Sequence, residues 1–427
     1  MKRYLYTKLS YDKVQKLIQR PAIDFTKTFK IVKPILDDIK SSGLKAALSY
    51  AKKFDGLNPK NFIVTKDEIK KAGQNLPIKV KQAIDSAYFN IRKFHLLQIP
   101  KRYQVETVPG VKCSREFRAI DNVGLYIPGG TAVLPSTMLM LGIPAQISGC
   151  KRIIVSSPAK ASKINDALLY AAFKCGIKEF YKIGGAQAIA LMAYGSDKIP
   201  KVSKIFGPGN QYVTAAKLLV SIDPSGCAID MPAGPSELLV IADESANPAF
   251  VAADLLSQAE HGVDSQVILV TNSIDLEKKI QQEIEKQLEL LPRKKLASAS
   301  LKNSFSLIVK NVRQGIEFSN LYAPEHLILN VRNPSKYKPQ VKNAGSVFLG
   351  NYSPESAGDY ASGTNHSLPT YGFAKSFGGV TVESFMKSVT FQSLSKSGLR
   401  SISETLQTLA ETEELIAHKN AVKIRFE

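Results

Sequence analysis

Residues 179–194 read Glu179-Phe-Tyr-Lys-Ile-Gly-Gly-Ala-Gln-Ala-Ile-Ala-Leu-Met-Ala-Tyr194. Glu179–Ile183 has the texture of a strand, Gly184-Gly185 makes a turn, and Ala186–Tyr194 continues as an apolar helix. A strand that passes through glycine straight into a helix is the βα half of a parallel-sheet unit. The same rhythm extends in both directions. Upstream, Val123–Ile127 is a strand closed by Pro128-Gly129-Gly130. Arg152–Ser156 is a strand followed by the helix Lys163–Cys175, which Gly176 ends. Downstream, Ser203–Phe206 is a strand that Gly207-Pro208-Gly209 turns into the helix Gln211–Ser221.

A second series follows. Strands are expected at Glu237–Ala242, Gln266–Val270, Ser306–Val309, Leu327–Asn330 and Gly345–Leu349, with helices at Pro248–Glu260 and Leu276–Leu291. Two α/β domains with Rossmann-like parallel sheets are therefore expected. Residues 1–105 read as helical; Val80, Ile84, Ala87 and Ile91 recur at helical spacing within Ile78–Leu97, which places His95 on or near an apolar face. Asn351–Thr370, rich in Ser, Gly, Pro and Asn, reads as a long loop of the functional kind. Ser401 to about His418 reads as a helical tail.

Bulk properties narrow the function classes. The chain has 427 residues, 44% hydrophobic and 22% charged, as in ordinary globular proteins. No apolar run approaches a membrane span, and Met1-Lys-Arg-Tyr-Leu-Tyr-Thr-Lys8 has no apolar segment behind its basic residues, so a cytoplasmic protein is expected. Cys113, Cys150, Cys175 and Cys227 form no C-x-x-C pair, which argues against a disulfide framework and a thiolate zinc site. The net charge of +20 invites a nucleic-acid reading. Against it, the lysines are dispersed; over residues 275–291, Glu277, Glu283, Glu285 and Glu289 alternate with Lys278, Lys279 and Lys286 as a solvated face.

The chemistry-bearing residues are sparse and grouped. There are five histidines, and four of them (His261, His326, His366 and His418) lie near a carboxylate or carboxamide in sequence. Gln258 and His261 stand at i and i+3 on one helix face; with Asp359 and His418 they make a nitrogen–oxygen donor set that suits zinc or manganese. A plain alternative is that Gln258 caps a chain end and His261 bonds a carbonyl. Glu325-His326 sits at a loop-to-strand junction, where neighbours point apart and address two different protons; an exposed acidic–His pair is the alternative. The three glycine turns bring backbone N–H groups toward a phosphate, although the full G-x-G-x-x-G pattern is missing and its third position is Tyr212.

Taken together, several segments resemble the histidinol dehydrogenase family. They are Gly124-Leu-Tyr-Ile-Pro-Gly-Gly130, Gly184-Gly-Ala-Gln-Ala-Ile-Ala190, Phe206-Gly-Pro-Gly-Asn210 and Asp230-Met-Pro-Ala-Gly-Pro-Ser-Glu237. Gln258-Ala-Glu-His261, Tyr322-Ala-Pro-Glu-His326, Ser356–His366 and Ala417-His-Lys-Asn-Ala421 complete the set. The resemblance implies a zinc enzyme that oxidises L-histidinol through bound L-histidinal to L-histidine with two NAD+, the last step of histidine biosynthesis. It implies zinc, one ion per subunit, on Gln258, His261, Asp359 and His418, and a catalytic pair Glu325 and His326. Substrate contacts would be Ser236, His366 and Glu413, beside His326 and the zinc ligands. NAD contacts would be Tyr126, Gln187 and Asn210. It further implies an intertwined homodimer: an N-terminal arm over 1–25, a first α/β domain from 26–122 and 237–380 carrying most zinc and catalytic residues, an NAD-binding domain over 123–236, and a tail over 381–427 that crosses to the partner. No membrane or nucleic-acid partner is expected. The rival enzyme reading is a cysteine-type NAD-dependent aldehyde dehydrogenase, with Cys150 or Cys113 as nucleophile.

Overall fold

The computed structural model describes residues 1–20, 25–129, 133–159, 163–232 and 234–427, with Phe25 described in its backbone only. Its strands are β1 Lys2–Leu5, β2 Tyr103–Val108, β3 Val111–Ala119, β4 Asn122–Tyr126, β5 Arg152–Ser156, β6 Glu179–Tyr181 and β7 Lys204–Phe206. They continue as β8 Ala228–Ile229, β9 Glu237–Ala242, β10 Gln266–Thr271, β11 Phe305–Ile308, β12 His326–Asn330, β13 Ser346–Leu349 and β14 Met386–Leu394. Two parallel sheets result, in the orders β6-β5-β4-β7-β8 and β1-β11-β10-β9-β12-β13. The expected two-sheet α/β architecture is the observed one. Strands such as Glu237–Ala242 are buried along their whole length, as parallel strands covered on both faces must be.

Several expectations change. The N-terminal hundred residues are not all helical: β1 forms the edge of the six-stranded sheet by pairing with β11, where Tyr4 meets Phe305 edge-on. The helices of residues 25–96, grouped on sequence with residues 237–380, pack on the five-stranded sheet instead. Val32, Ile39, Ala51, Ile69 and Ile91 share one core with Val123, Ile154 and Ile189. An amphipathic stripe shows that a helix must be covered but not by which sheet. Helix Pro135–Ser148 escapes the sequence reading because it is apolar all round and so carries no period. The stretch Asn351–Thr370 is no plain loop, since it contains the helix Glu355–Tyr360. The tail is two helices, Lys396–Thr412 and Ile416–Lys423, parted at Glu414, whose φ is 58°. Gly130, in the first predicted glycine turn, lies outside the described residues.

A third sheet was not foreseen. β2, β3 and β14 pair antiparallel in the order β14-β3-β2, with β2 and β3 joined through Gly110 at φ 83°. This sheet and the tail are poorly covered within one chain. Tyr103, Val105 and Phe391 are exposed on the sheet, as are Leu409, Leu415, Ile416 and Ile424 on the tail. No helix of the described residues is long and apolar enough to cross a membrane.

Candidate active site

The site grows from the amino edge of the six-stranded sheet. His326 is the first residue of β12 and pairs with Leu238 of β9 on one side and Ser346 of β13 on the other. Helix Val312–Tyr322 ends just before it. Ala323 caps that helix at φ 54°, a left-handed conformation that costs a side-chain-bearing residue and persists only where surrounding contacts enforce it. Those contacts are visible: the Ala323 carbonyl accepts from Arg20, whose guanidinium also holds Glu237 through two bonds of 2.9 and 2.8 Å and covers the Tyr322 ring. Gly345 completes the corner. A Cβ there would stand 2.6 Å from the Glu325 carbonyl oxygen, so only glycine lets the chain pass so close.

Glu325 is thereby turned into the interior. Its Oε2 accepts from the Glu237 backbone N–H at 2.9 Å, which sets it beside Ser236, the residue before β9. Burial holds its carboxyl well above the usual range, with the neighbouring Glu237 and Asp359 charges adding to the effect. His326 does not point away from Glu325, as neighbours on an extended chain would; the two side chains converge. The His326 Nδ1 is 3.4 Å from Glu355 and 3.7 Å from Glu325, and its Nε2 is 3.6 Å from Asp359. Burial pushes this imidazole down to about 3, so it is neutral at neutral pH and keeps a free lone pair.

The remaining groups return to the same edge on helices that run back against the strands. Helix Pro248–Ala259 follows β9 and delivers Gln258 and His261 at its carboxyl end. Gln258 is fully buried and donates through its amide nitrogen to both oxygens of Glu355, one at 3.2 Å. In that orientation its carbonyl oxygen stands 3.5 Å from His261 Nδ1. The Nδ1–H tautomer of His261 donates to this oxygen; with that proton removed, the two lone-pair atoms are spaced for a shared cation, since two ligands on a tetrahedral zinc with bonds of about 2.1 Å lie about 3.4 Å apart. Helix Glu355–Tyr360 presents Glu355 and Asp359 on one face, one turn apart. Burial raises the Asp359 carboxyl to about 6, against the pull of His261. His326, Glu355 and Asp359 bring their ligand atoms within 4.8 Å of one another. Such a group can hold a divalent cation; of the ligands expected from sequence it contains Asp359 alone, with His261 close enough to act on the Asp359 charge. His366 closes the cluster: its Nδ1 donates to the Asp359 carbonyl at 2.9 Å, and burial lowers its ring to about 4.

Three of the four singled-out histidines, together with Gln258, Asp359 and Glu325, are thus assembled in one chain, and Ser236 adjoins them. Glu413 and His418 are not; both are exposed on the tail. Glu413 caps the end of helix Lys396–Thr412, so the pair spans the break between the two tail helices. Sequence reasoning missed Glu355, because a segment read as loop hides the four-residue spacing to Asp359. It also missed Thr137, whose hydroxyl is 3.2 Å from His366 Nε2.

The expected NAD contacts lie at the other sheet. Tyr126 ends β4, and its hydroxyl accepts from the Gly185 N–H at 3.1 Å. Gln187, in the first turn of helix Gly185–Tyr194, donates to Asp55 at 3.1 Å. Asn210 caps helix Gln211–Ile222 by accepting from the N–H groups of Tyr212 and Val213. Tyr126 and Asn210 stand at the carboxyl ends of β4 and β7, and Gln187 on the helix after β6, whose Gly185 the Tyr126 hydroxyl touches. β4 and β7 are where strand order reverses, the crevice in which open α/β sheets take ligands.

The thiols are elsewhere. Cys175 is buried in the core of the five-stranded half, and Cys150 and Cys227 pack against that core. Burial raises the thiols of Cys150 and Cys227, the latter to about 12, the reverse of what a nucleophile needs. Cys113 lies on β3, in the antiparallel sheet.

Known proteins resemble this chain along its whole length. The model of the histidinol dehydrogenase family matches residues 18–426. The chloroplastic histidinol dehydrogenase of Arabidopsis thaliana is 51% identical over 428 residues, covering 100% of this chain and 91% of that protein. The histidinol dehydrogenase of Campylobacter jejuni strain RM1221 is 52% identical, covering 100% and 99%. A crystal structure of histidinol dehydrogenase from Elizabethkingia anophelis superposes with a TM-score of 0.95 at 50% identity, covering 100% of this chain and 98% of that one.

Proposed function

Because this chain belongs to the histidinol dehydrogenase family of NAD-dependent oxidoreductases, we propose that it carries L-histidinol through enzyme-held L-histidinal to L-histidine at one zinc site, using two NAD+. The observation that supports this best is the convergence of His326, Glu325, Gln258, His261 and Asp359 on one buried edge.

Gln258, His261 and Asp359 would hold the zinc, with His418 supplied by the partner subunit as the fourth ligand. When bound, the ion would supply a template that orients the substrate's carbinol carbon toward the nicotinamide. Tyr126, Gln187 and Asn210 would hold NAD+, which would supply the hydride acceptor for each oxidation.

His326 is the base. Its neutral imidazole accepts the hydroxyl proton as the carbon–hydrogen bond gives its electron pair to the nicotinamide, leaving the aldehyde. Glu325 then assists a water to add to that aldehyde, and burial supplies the raised basicity this needs. Once that first proton has passed to solvent, His326 takes another from the hydrate hydroxyl as the second hydride leaves, and the product is the carboxylate. Ser236 and His366, with Glu413 of the partner subunit, would contact the substrate. The local acids Glu325, Asp359 and Glu413 draw in a cationic substrate that a protein of net charge +20 would otherwise repel.

The homodimer with crossed tails is supported by the uncovered apolar residues of the third sheet and the tail. Ile424 is 66% exposed and Leu409 56%, more than isolated chains usually leave on adjoining elements. The four cysteines are all free, which supports a reducing compartment such as the cytoplasm. The test is an NADH-formation assay with L-histidinol before and after chelation. Two NADH per histidinol, lost on chelation and restored by zinc, is the expected result; steady release of histidinal with one NADH would overturn the two-step reading.

A further inference from the structure

We propose that Lys217 and Asp230 are positioning residues of the dinucleotide site, which hold the turn from Gly207 to Asn210 against the end of β4. The inference rests on the reading of Tyr126 and Asn210 as NAD contacts.

Lysine and aspartate are seldom buried unless they are paired, and these two side chains are 5% and 4% exposed. What the pair grips is one glycine. Asp230 Oδ2 accepts from the Gly207 N–H at 2.8 Å, and Lys217 Nζ donates to the Gly207 carbonyl at 2.8 Å. Lys217 Nζ also donates to Asp230 Oδ1, which closes a ring through the glycine. The sheet edge explains why side chains are needed there. The Asp230 N–H makes a ladder bond to the Ile205 carbonyl at 3.0 Å, but the Gly207 N–H, two residues on, meets the Asp230 carboxylate and not a strand carbonyl. The side chain thus takes over where the ladder stops.

Gly207 is itself buried, with φ at 119°, a conformation open to glycine. A Cβ there would stand 2.0 Å from the Tyr126 carbonyl oxygen, so the turn rests directly on the last residue of β4. Three residues later, Asn210 spends its Oδ1 on the N–H groups of Tyr212 and Val213, which leaves Nδ2 as the part it can offer a ligand. The Tyr126 hydroxyl accepts from Gly185, which leaves its proton to give. Both groups are donors, and the pyrophosphate and ribose oxygens of a dinucleotide are acceptors. Donors on two separate elements serve one ligand best when their spacing is fixed before it arrives. Lys217 belongs to the helix that Asn210 caps, and Asp230 follows β8. The ring therefore ties helix, turn and sheet edge together at the point where they meet Tyr126.

The test uses the double variant Lys217→Met with Asp230→Asn, because removing one charge leaves the other buried and unpaired. The control is Arg152→Met with Glu179→Gln, an ion pair of the same sheet at the opposite, amino ends of β5 and β6. Asn210→Ser keeps the helix cap and removes only the amide donor. Binding of NADH to the zinc-free proteins is followed by its own fluorescence, thermal midpoints report the fold, and kcat and both KM values are taken at saturating zinc. The Lys217 and Asp230 variant should raise the Kd for NADH and the KM for NAD+ about tenfold, the scale of one hydrogen bond to a charged group. Its kcat and its KM for histidinol should stay within about twofold. The control should lower the thermal midpoint and leave NADH binding within about twofold. Should the Lys217 and Asp230 variant not fold, Asp230→Asn alone, which keeps the shape, is judged by the same NADH limit. If Asn210→Ser weakens NADH binding but the ring variants bind it as wild type does, the positioning role fails alone. If Asn210→Ser leaves NADH binding unchanged, the contact reading falls and this inference with it. Equal loss of NADH binding in the control means general loosening of the sheet and overturns the proposal.

Discussion

Thr137 and His366 are joined by a 3.2 Å hydrogen bond that links the two halves of the molecule. Thr137 lies in the first turn of helix Pro135–Ser148, after the carboxyl end of β4, and His366 belongs to the cluster at the amino edge of the other sheet. Since His366 Nδ1 gives its proton to the Asp359 carbonyl, Nε2 must be the acceptor and the threonine hydroxyl the donor. The carboxyl edge of one sheet is thus tied to the amino edge of the other across the space where cofactor and substrate would meet.

Thr137→Val should keep the fold and loosen that ring. One neutral hydrogen bond contributes about 1 kcal/mol, or roughly fivefold in an equilibrium. KM for histidinol is expected to rise by about that factor with kcat little changed. Steady-state kinetics decide it, and an unchanged KM would separate His366 from substrate binding.

The division of labour between Glu325 and His326 is testable by step. His326→Ala should abolish the alcohol step and leave zinc bound, because the ring is not a proposed ligand. Glu325→Gln should slow oxidation of added histidinal far more than oxidation of histidinol, since only the former needs water activated. Rapid-mixing measurement of NADH from each substrate distinguishes them; equal damage to both steps means the roles are wrongly assigned.

Crossing of the tail predicts complementation. Glu413 and His418 are about 140° apart on a regular helix, so on the proposed crossing the break at Glu414 would let both address one site. His326→Ala and His418→Ala chains, each inactive alone, should regain activity when unfolded together and refolded. About half the dimers are mixed, and each mixed dimer holds one intact site, so recovery should reach roughly a quarter of wild type. No recovery, with mixed dimers seen by mass spectrometry, would return His418 to its own chain's site.

His95 offers a pH prediction away from the reacting atoms. It is fully buried, donates from Nδ1 to the Ile91 carbonyl at 2.8 Å, and accepts from Asn365 at 3.2 Å. Burial lowers its folded pKa below 6.5. The unfolded chain therefore binds this proton at a higher pH than the native one does. Stability from His95 is present above about 6.5 and is lost as pH falls, at up to about 1.4 kcal/mol per pH unit until the folded value is reached. In urea melts, the advantage of wild type over His95→Gln should shrink from pH 7.5 to 5.5; an advantage constant over that range would contradict a neutral buried ring.

Much of this was legible in the chain. The βα rhythm at Glu179–Tyr194 and the continuous apolar strand at Glu237–Ala242 mark parallel sheets, because period and burial are written locally. Gln258 and His261 are readable as neighbours for the same reason. What sequence could not show depends on partners far along the chain. The helices of residues 25–55, parted at Gly43, have an apolar face that fits either sheet. Glu355 hides in a segment whose Ser, Gly and Pro content masks a short helix. The antiparallel pairing of β3 with β14 joins residues about 270 positions apart, and no local pattern announces it.

The exposed tail has a consequence for how the metal is acquired. On the proposed crossing, a newly made chain can offer zinc three side chains and not a fourth. Such a partial site binds weakly and releases readily, so the lone subunit neither strips zinc from other proteins nor traps a commoner wrong ion. Pairing supplies the missing imidazole and makes capture tight. Assembly would then act as a proofreading step for metallation, and the amount of metal-loaded enzyme in a cell would rise with the square of subunit concentration at low expression.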